Sequence, residues 1–239
     1  MKEPHVLKPR HIILAVFYIS VYPAALFVIA GDVTWTEGWI FTIIWLLWLY
    51  ALLIYWIKKD PGFLRERFTL SLQKEQEEQD IQQKGWDKPI MRIFSILTIV
   101  WIVGTPLDAK RFALSPEFPV LIKVIGVIFL NSGLAIMVKA FIDNPFASAV
   151  VRIQKDRKQK VVSTGVYSVV RHPLYLAGIV LFMGMPLLLG SLIGIGCTIG
   201  MGILFALRAV KEERTLSDEL EGYNEYRKKV RYRIIPFLF

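Results

Sequence analysis

The chain has 239 residues, 54% of them hydrophobic and 21% charged, with a formal net charge of +9 and one cysteine. A mean hydropathy of +0.47 at this size points to lipid as the solvent, which excludes a disordered chain, a fibre and an ordinary soluble enzyme. The lone Cys197 excludes an internal disulfide framework and a cysteine-rich zinc site, and a basic excess without any nucleic-acid motif fits cytoplasmic loops facing anionic lipid.

A membrane-spanning helix needs about 20 mostly apolar residues. In chain order the candidates are Ile12–Ala30, then Trp39–Ile57 with its crowd of Trp45, Trp48 and Trp56, then a short run Ile90–Val103, then Val120–Ile142, where Lys123 and Lys139 stand near the ends and can snorkel. The basic start and the Val-Ile-Ala before Gly31 resemble a signal peptide, but the apolar run is longer than a typical h-region, so the first helix is expected to be retained. The segment 58–89, with apolar Phe63, Leu64 and Phe68 followed by a Gln/Glu-rich run, reads as interfacial rather than spanning.

Leu174–Leu207 is almost uncharged. As one straight helix it would run about 50 Å, against a hydrocarbon core of roughly 30 Å. It also carries Gly184, Pro186, Gly190, Gly194 and Gly196, so it is expected to fold as a tight helical hairpin turning near Gly190–Ser191, each arm slightly short for a full span. The result is an all-α, polytopic membrane protein with about six transmembrane helices. It forms a single membrane domain over 1–239, with an N-terminal region spanning 1–142 and a C-terminal region spanning 143–239. With six spans, the basic residues of the N-terminus, the 58–88 loop, the loop before Pro173 and the tail all fall on one side, and the opposite loops hold only Lys110 and Arg111. The bias places both termini in the cytoplasm.

A hairpin must return its two ends to one face. Just before it stands Arg171-His172-Pro173-Leu174-Tyr175, and just after it Arg208 and Lys211-Glu212-Glu213-Arg214. Each residue has an ordinary explanation: Pro173 suits a helix N1 position, Tyr175 an interface anchor, and Arg208 and Glu212, four apart, a surface pair. Their convergence at one membrane interface makes them a candidate site.

These residues, together with Val161 to Tyr167, Gly222-Tyr223-Asn224-Glu225-Tyr226 and Val230 to Pro236, resemble the RHPxY…EExxL pattern of the isoprenylcysteine carboxyl methyltransferase family, and are similar to the neighbouring phospholipid N-methyltransferases. The first 140 residues or so match only in being helical and apolar. The resemblance implies S-adenosylmethionine (SAM) as cofactor, held by Gln159, Lys160, Val161, Val162, Tyr167, His172, Pro173, Leu174, Tyr175 and Glu212, with no metal. It implies Arg208 as the substrate-carboxylate arginine, Arg208, Glu212 and Glu213 as the catalytic set, a loosely aligned Gln154 in the loop, and a lipidated acceptor, most simply the carboxylate of a prenylcysteine-like molecule. An already ionised carboxylate needs no general base, and a guanidinium fork at Arg208 would orient it through two parallel bonds. An aminophospholipid would instead arrive protonated and need a base, for which Glu213 or His172 is available. SAM is cytosolic, so the site is expected to open on the cytoplasmic side.

Two other classes remain open. Membrane sterol reductases carry a similar His-Pro-x-Tyr stretch and Tyr-Arg-Ile-Ile-Pro ending and bind NADPH; the Glu212–Glu213 pair and Arg208 argue for SAM, and no extended cluster for the nucleotide's extra phosphate is evident. A small transporter or lipid-binding protein would need polar residues at the midplane of several spans, which are dry apart from Asn131, Ser132 and a few Ser and Thr.

Overall fold

The computed structural model describes residues 9–59, 85–147 and 159–239, and their regular structure is helical. The interfacial segment expected at 58–89 falls largely outside the described residues, as does Gln154. The chain divides into two compact units, Met1–Gln82 and Gln83–Phe239.

The first unit is a helical hairpin of α1 (Pro9–Ala30) and α2 (Thr36–Lys59). Gly31, at φ +70°, ends α1 in the left-handed conformation and returns its N–H to the Phe27 carbonyl. Asp32 then accepts from the Thr34 amide and hydroxyl, closing the turn. Along the helices the Trp45 indole donates to the Ile19 carbonyl at 3.0 Å and Ser20 pairs with the Tyr50 hydroxyl at 2.8 Å, so these polar groups are satisfied within the pair.

The second unit holds α3 (Asp87–Pro106, extended by a π turn through Leu107–Arg111), α4 (Val120–Asp143), α5 (Pro173–Leu189), α6 (Leu192–Glu219) and the short α7 (Tyr223–Lys229). Among the described residues, five helices are long and apolar enough to cross a bilayer, and Pro173–Leu189 is a shorter apolar helix. These are the six apolar helices expected. Ile93, Ile96 and Ile99 of α3 and Val120, Leu121 and Ile128 of α4 stay exposed, the arrangement that lipid, not water, tolerates.

α4 and α5 pack almost backbone to backbone. A Cβ on Gly133 would stand 2.6 Å from the Leu181 amide nitrogen, and one on Gly184 2.5 Å from that of Leu130. Small residues permit this approach, and dispersion, not hydrophobicity, rewards it in lipid. The hairpin turns at Gly190 (φ +86°) and Ser191, whose amides both donate to Pro186 O at 2.9 Å. Asp108, from the π turn, accepts from Ser191 Oγ (2.6 Å), Ser115 Oγ (2.7 Å) and the Ile193 amide (3.1 Å), fastening the hairpin tip to α3.

Several helix ends lie beyond the expected apolar runs, and two of these differences bear on the site. The third span starts at Asp87, not Ile90, because Pro89 is tolerated in a first turn whose amides need no intrahelical partner. The second hairpin arm does not stop at Leu207: α6 runs on to Glu219, since Arg208–Glu219 contains no breaker and is rich in residues of good helical propensity. The polar cluster after the hairpin is therefore the same rigid helix prolonged out of the apolar layer.

Candidate functional site

The site is built where the N-terminus of α5, the prolonged end of α6 and the C-terminal segment meet. Residues 170–172 lie beside 230–233: Val170 bridges Tyr232, the Arg171 amide donates to Tyr232 O (3.0 Å) and the His172 amide to Arg233 O (2.8 Å). Pro173 occupies the first helical turn, where its missing N–H costs nothing, and leaves His172 as the N-cap.

Beneath this crossing lies a buried charge cluster. Glu213 takes the Arg171 Nε on one oxygen (2.6 Å) and the Arg233 Nε on the other (3.0 Å). Arg171 spends its Nη1 on the carbonyls of Val230 (2.7 Å) and Arg231 (2.9 Å). His172 Nε2 stands 3.3 Å from Glu213 Oε1 without a hydrogen bond to any described residue. The buried Arg171 and Glu213 compensate each other, and Arg233, half-buried, keeps part of its guanidinium in solvent.

Above it, Tyr175 Oη donates to Glu212 Oε2 at 2.6 Å. The Tyr175 ring stacks on His172 (5.3 Å, 6°) and on Phe205 (4.9 Å, 11°), so three side chains from α6 and the start of α5 form one aromatic column. Next to this column opens a half-enclosed cavity of about 130 Å³. Gln159, Lys160, Val161 and Val162 line it from the loop, Tyr167 from the 3-10 turn Gly165–Ser168, His172 to Tyr175 from the start of α5, and Glu212 from α6. That turn is pinned to the end of α4 by the Val166 amide on Asp143 Oδ2 (3.0 Å), and Gly165, at φ +59°, faces the same carboxylate with no room for a Cβ.

All ten residues that the resemblance implied for a cofactor thus border one cavity, brought together from the loop, the 3-10 turn, the start of α5 and α6. Two other site residues do not. Glu213, expected among the catalytic set and as a possible base, lies under the cavity with both oxygens held by arginines. Arg208, expected to hold a substrate carboxylate, gives Nε and Nη2 to the two oxygens of Asp87 (2.7 and 2.9 Å), and both side chains are buried. Asp87 starts α3, far away in sequence, so nothing in the pattern around Arg208 announces it.

Other lining residues take no site role from the sequence, although Tyr223 and Tyr226 belong to the motif that carries the resemblance. Asn144, Phe146 and Ala147 come from the end of α4 and just beyond it, and Tyr223 and Tyr226 from α7. The two tyrosines sit three apart, on one helical face, and pack with Val161, Leu216 and Leu220. Tyr226 Oη donates to Tyr167 O at 2.7 Å, whereas Tyr223 Oη is buried with no hydrogen-bond partner among the described residues. Burial pushes the Tyr167 phenol up to about 12, and pushes Tyr223 and Tyr226 upward too, so all three remain protonated at neutral pH.

Residues 121–220 match the model of a family described as phospholipid methyltransferase. The matched stretch begins in α4 and ends just past α6, so it contains the loop, the RHPLY segment, Arg208 and Glu212. No curated protein matches the chain. Most of the cavity lining, from Asn144 to Leu220, therefore lies in a stretch similar to phospholipid methyltransferases, in an all-helical polytopic membrane protein.

Proposed function

We propose that this protein is a SAM-dependent methyltransferase acting on a lipid-linked acceptor, with its active site and both termini on the cytoplasmic side. One observation carries the reading: a single cavity joins a carboxylate, several phenols and an imidazole next to long apolar helices, and leaves the Tyr223 hydroxyl buried without a partner among the described residues. An unpaired buried hydroxyl costs roughly 1–3 kcal/mol unless a ligand supplies the missing bond.

These residues fit SAM. Glu212 offers an anion to the cofactor's cationic end, aromatic rings offer faces to a sulfonium and to adenine, Lys160 is a cation for its carboxylate, and Tyr223 Oη is a ready donor. When bound, SAM supplies an electrophilic methyl group. The chain's own task is positioning and exclusion of water, which for an in-line displacement is most of the catalysis. Tyr175 holds Glu212 through its hydroxyl, and the Arg171–Glu213–Arg233 cluster holds the His172 backbone where α5 begins.

Two acceptor classes follow from this reading, a prenylcysteine-like carboxylate and the amine of an aminophospholipid. The test is calorimetric titration with S-adenosylhomocysteine (SAH), followed by transfer of labelled methyl to prenylcysteine analogues and aminophospholipids in parallel. SAH binding with a labelled lipid product is the expected result; NADPH binding in its place would move the assignment to the reductases.

A further inference from the structure

Asp87 is fully buried at the start of α3, and its two oxygens fill the Arg208 fork. Its neighbour Trp86 receives the Lys211 ammonium over its ring at 5.5 Å, so residues 86 and 87 together hold two basic side chains of α6. Arg208 lies one turn before Glu212 on that helix, with its guanidinium 5.8 Å from the centroid of the Tyr175 ring, which itself borders the cavity. The fork is thus one side chain away from the candidate cofactor site. Asp87 lies outside the 121–220 stretch that matches the methyltransferase family.

We propose that Asp87 sets acceptor selectivity: it occupies the Arg208 fork with a carboxylate of the chain itself and so closes that fork to acceptor carboxylates. The proposal rests on the methyltransferase reading above. Nε and Nη2 cannot give the same in-line bonds to a second carboxylate while Asp87 holds them. Displacing Asp87 would leave a buried anion without its partner, which is the expensive arrangement of a buried pair. Selectivity here comes from what the site refuses. An amine acceptor asks nothing of the fork. Once its ammonium has lost a proton to solvent, the nitrogen lone pair forms the N–C bond as the S–C bond breaks and its electron pair stays on sulfur, leaving a methylated ammonium and a thioether.

The experiment uses the full chain in lipid nanodiscs, with labelled SAM and two acceptors supplied together, an aminophospholipid and a prenylcysteine analogue with a free carboxylate. Wild type should label the amine. Asp87→Asn should release the fork and raise the ester-to-amine product ratio at least tenfold, with SAH affinity within about threefold of wild type, and Asp87→Glu should keep the wild-type ratio. Because Asp87→Asn could fail to fold, wild type also carries a test of its own: the free-acid analogue and its methyl ester should inhibit amine labelling equally. A free acid ten times more potent than its ester, a wild type that esterifies the acid, or an Asp87→Asn variant that keeps wild-type SAH affinity but loses both products in parallel would overturn the proposal. Absence of SAH binding by wild type would overturn the methyltransferase reading itself, and this inference with it.

Discussion

Replacing Glu213 by glutamine separates a structural carboxylate from a catalytic one. Glu213 is 3% exposed, and its two oxygens accept from Arg171 Nε at 2.6 Å and Arg233 Nε at 3.0 Å. Removing one member of a buried ion pair costs about 3–5 kcal/mol, because the remaining charge stays buried. Gln keeps one carbonyl acceptor, which retains about 1 kcal/mol of hydrogen bonding, so we take the low end, about 3 kcal/mol. At roughly 2–4 °C per kcal/mol for a chain of this size, Tm should fall by about 6–12 °C. The Arg171 and Arg233 side chains also fasten 170–172 to 230–233, so SAH affinity should weaken along with stability. The assay is thermal unfolding in detergent with and without SAH, alongside methyl transfer. A Glu213→Gln variant with wild-type Tm and SAH affinity but no methyl transfer would refute this reasoning, because it would make Glu213 the base that its two arginine partners argue against.

Tyr223→Phe removes a buried hydroxyl that has no partner among the described residues, so Tm of the ligand-free protein should hold or rise slightly while SAH affinity falls about five- to tenfold, about 1 kcal/mol by titration calorimetry. Gly133→Ala should cost roughly 1–3 kcal/mol, read as a lower Tm, because its Cβ would press on the Leu181 backbone; Gly196→Ala, with nothing within 4 Å, should be neutral or stabilise by up to about 1 kcal/mol. The native Cys197 is buried, so introduced cysteines can report topology against a low background: one at Lys110 should be labelled from outside intact cells and one at Phe239 should not, and the opposite pattern would invert the orientation.

The features of this protein legible in its sequence are those set by local chemistry. Length and apolarity are read a window at a time, so the lipid environment, the six apolar helices and the hairpin at Gly190–Ser191 are all accessible from the residues alone. The helix ends are less accessible: nothing apolar marks Arg208–Glu219 as a continuation of α6, and only its lack of a breaker predicts it. That the ten residues implied for a cofactor border one cavity is legible through a sequence motif, since the hairpin brings its two ends back to one face.

What the tertiary structure alone decided is which charged groups meet. Arg208 carries a fork that suits any carboxylate, and the sequence around it cannot say whether that carboxylate is a ligand's or the chain's. The answer came from Asp87, 121 positions away, placed there by how α3 packs on α6. Likewise the second oxygen of Glu213 is taken by a guanidinium only because the C-terminal segment returns beside 170–172 and delivers Arg233. Apolar runs announce themselves because burial is nearly additive along a chain. Ion pairs do not, because their energy depends on a distance and a desolvation that exist only once the helices have docked.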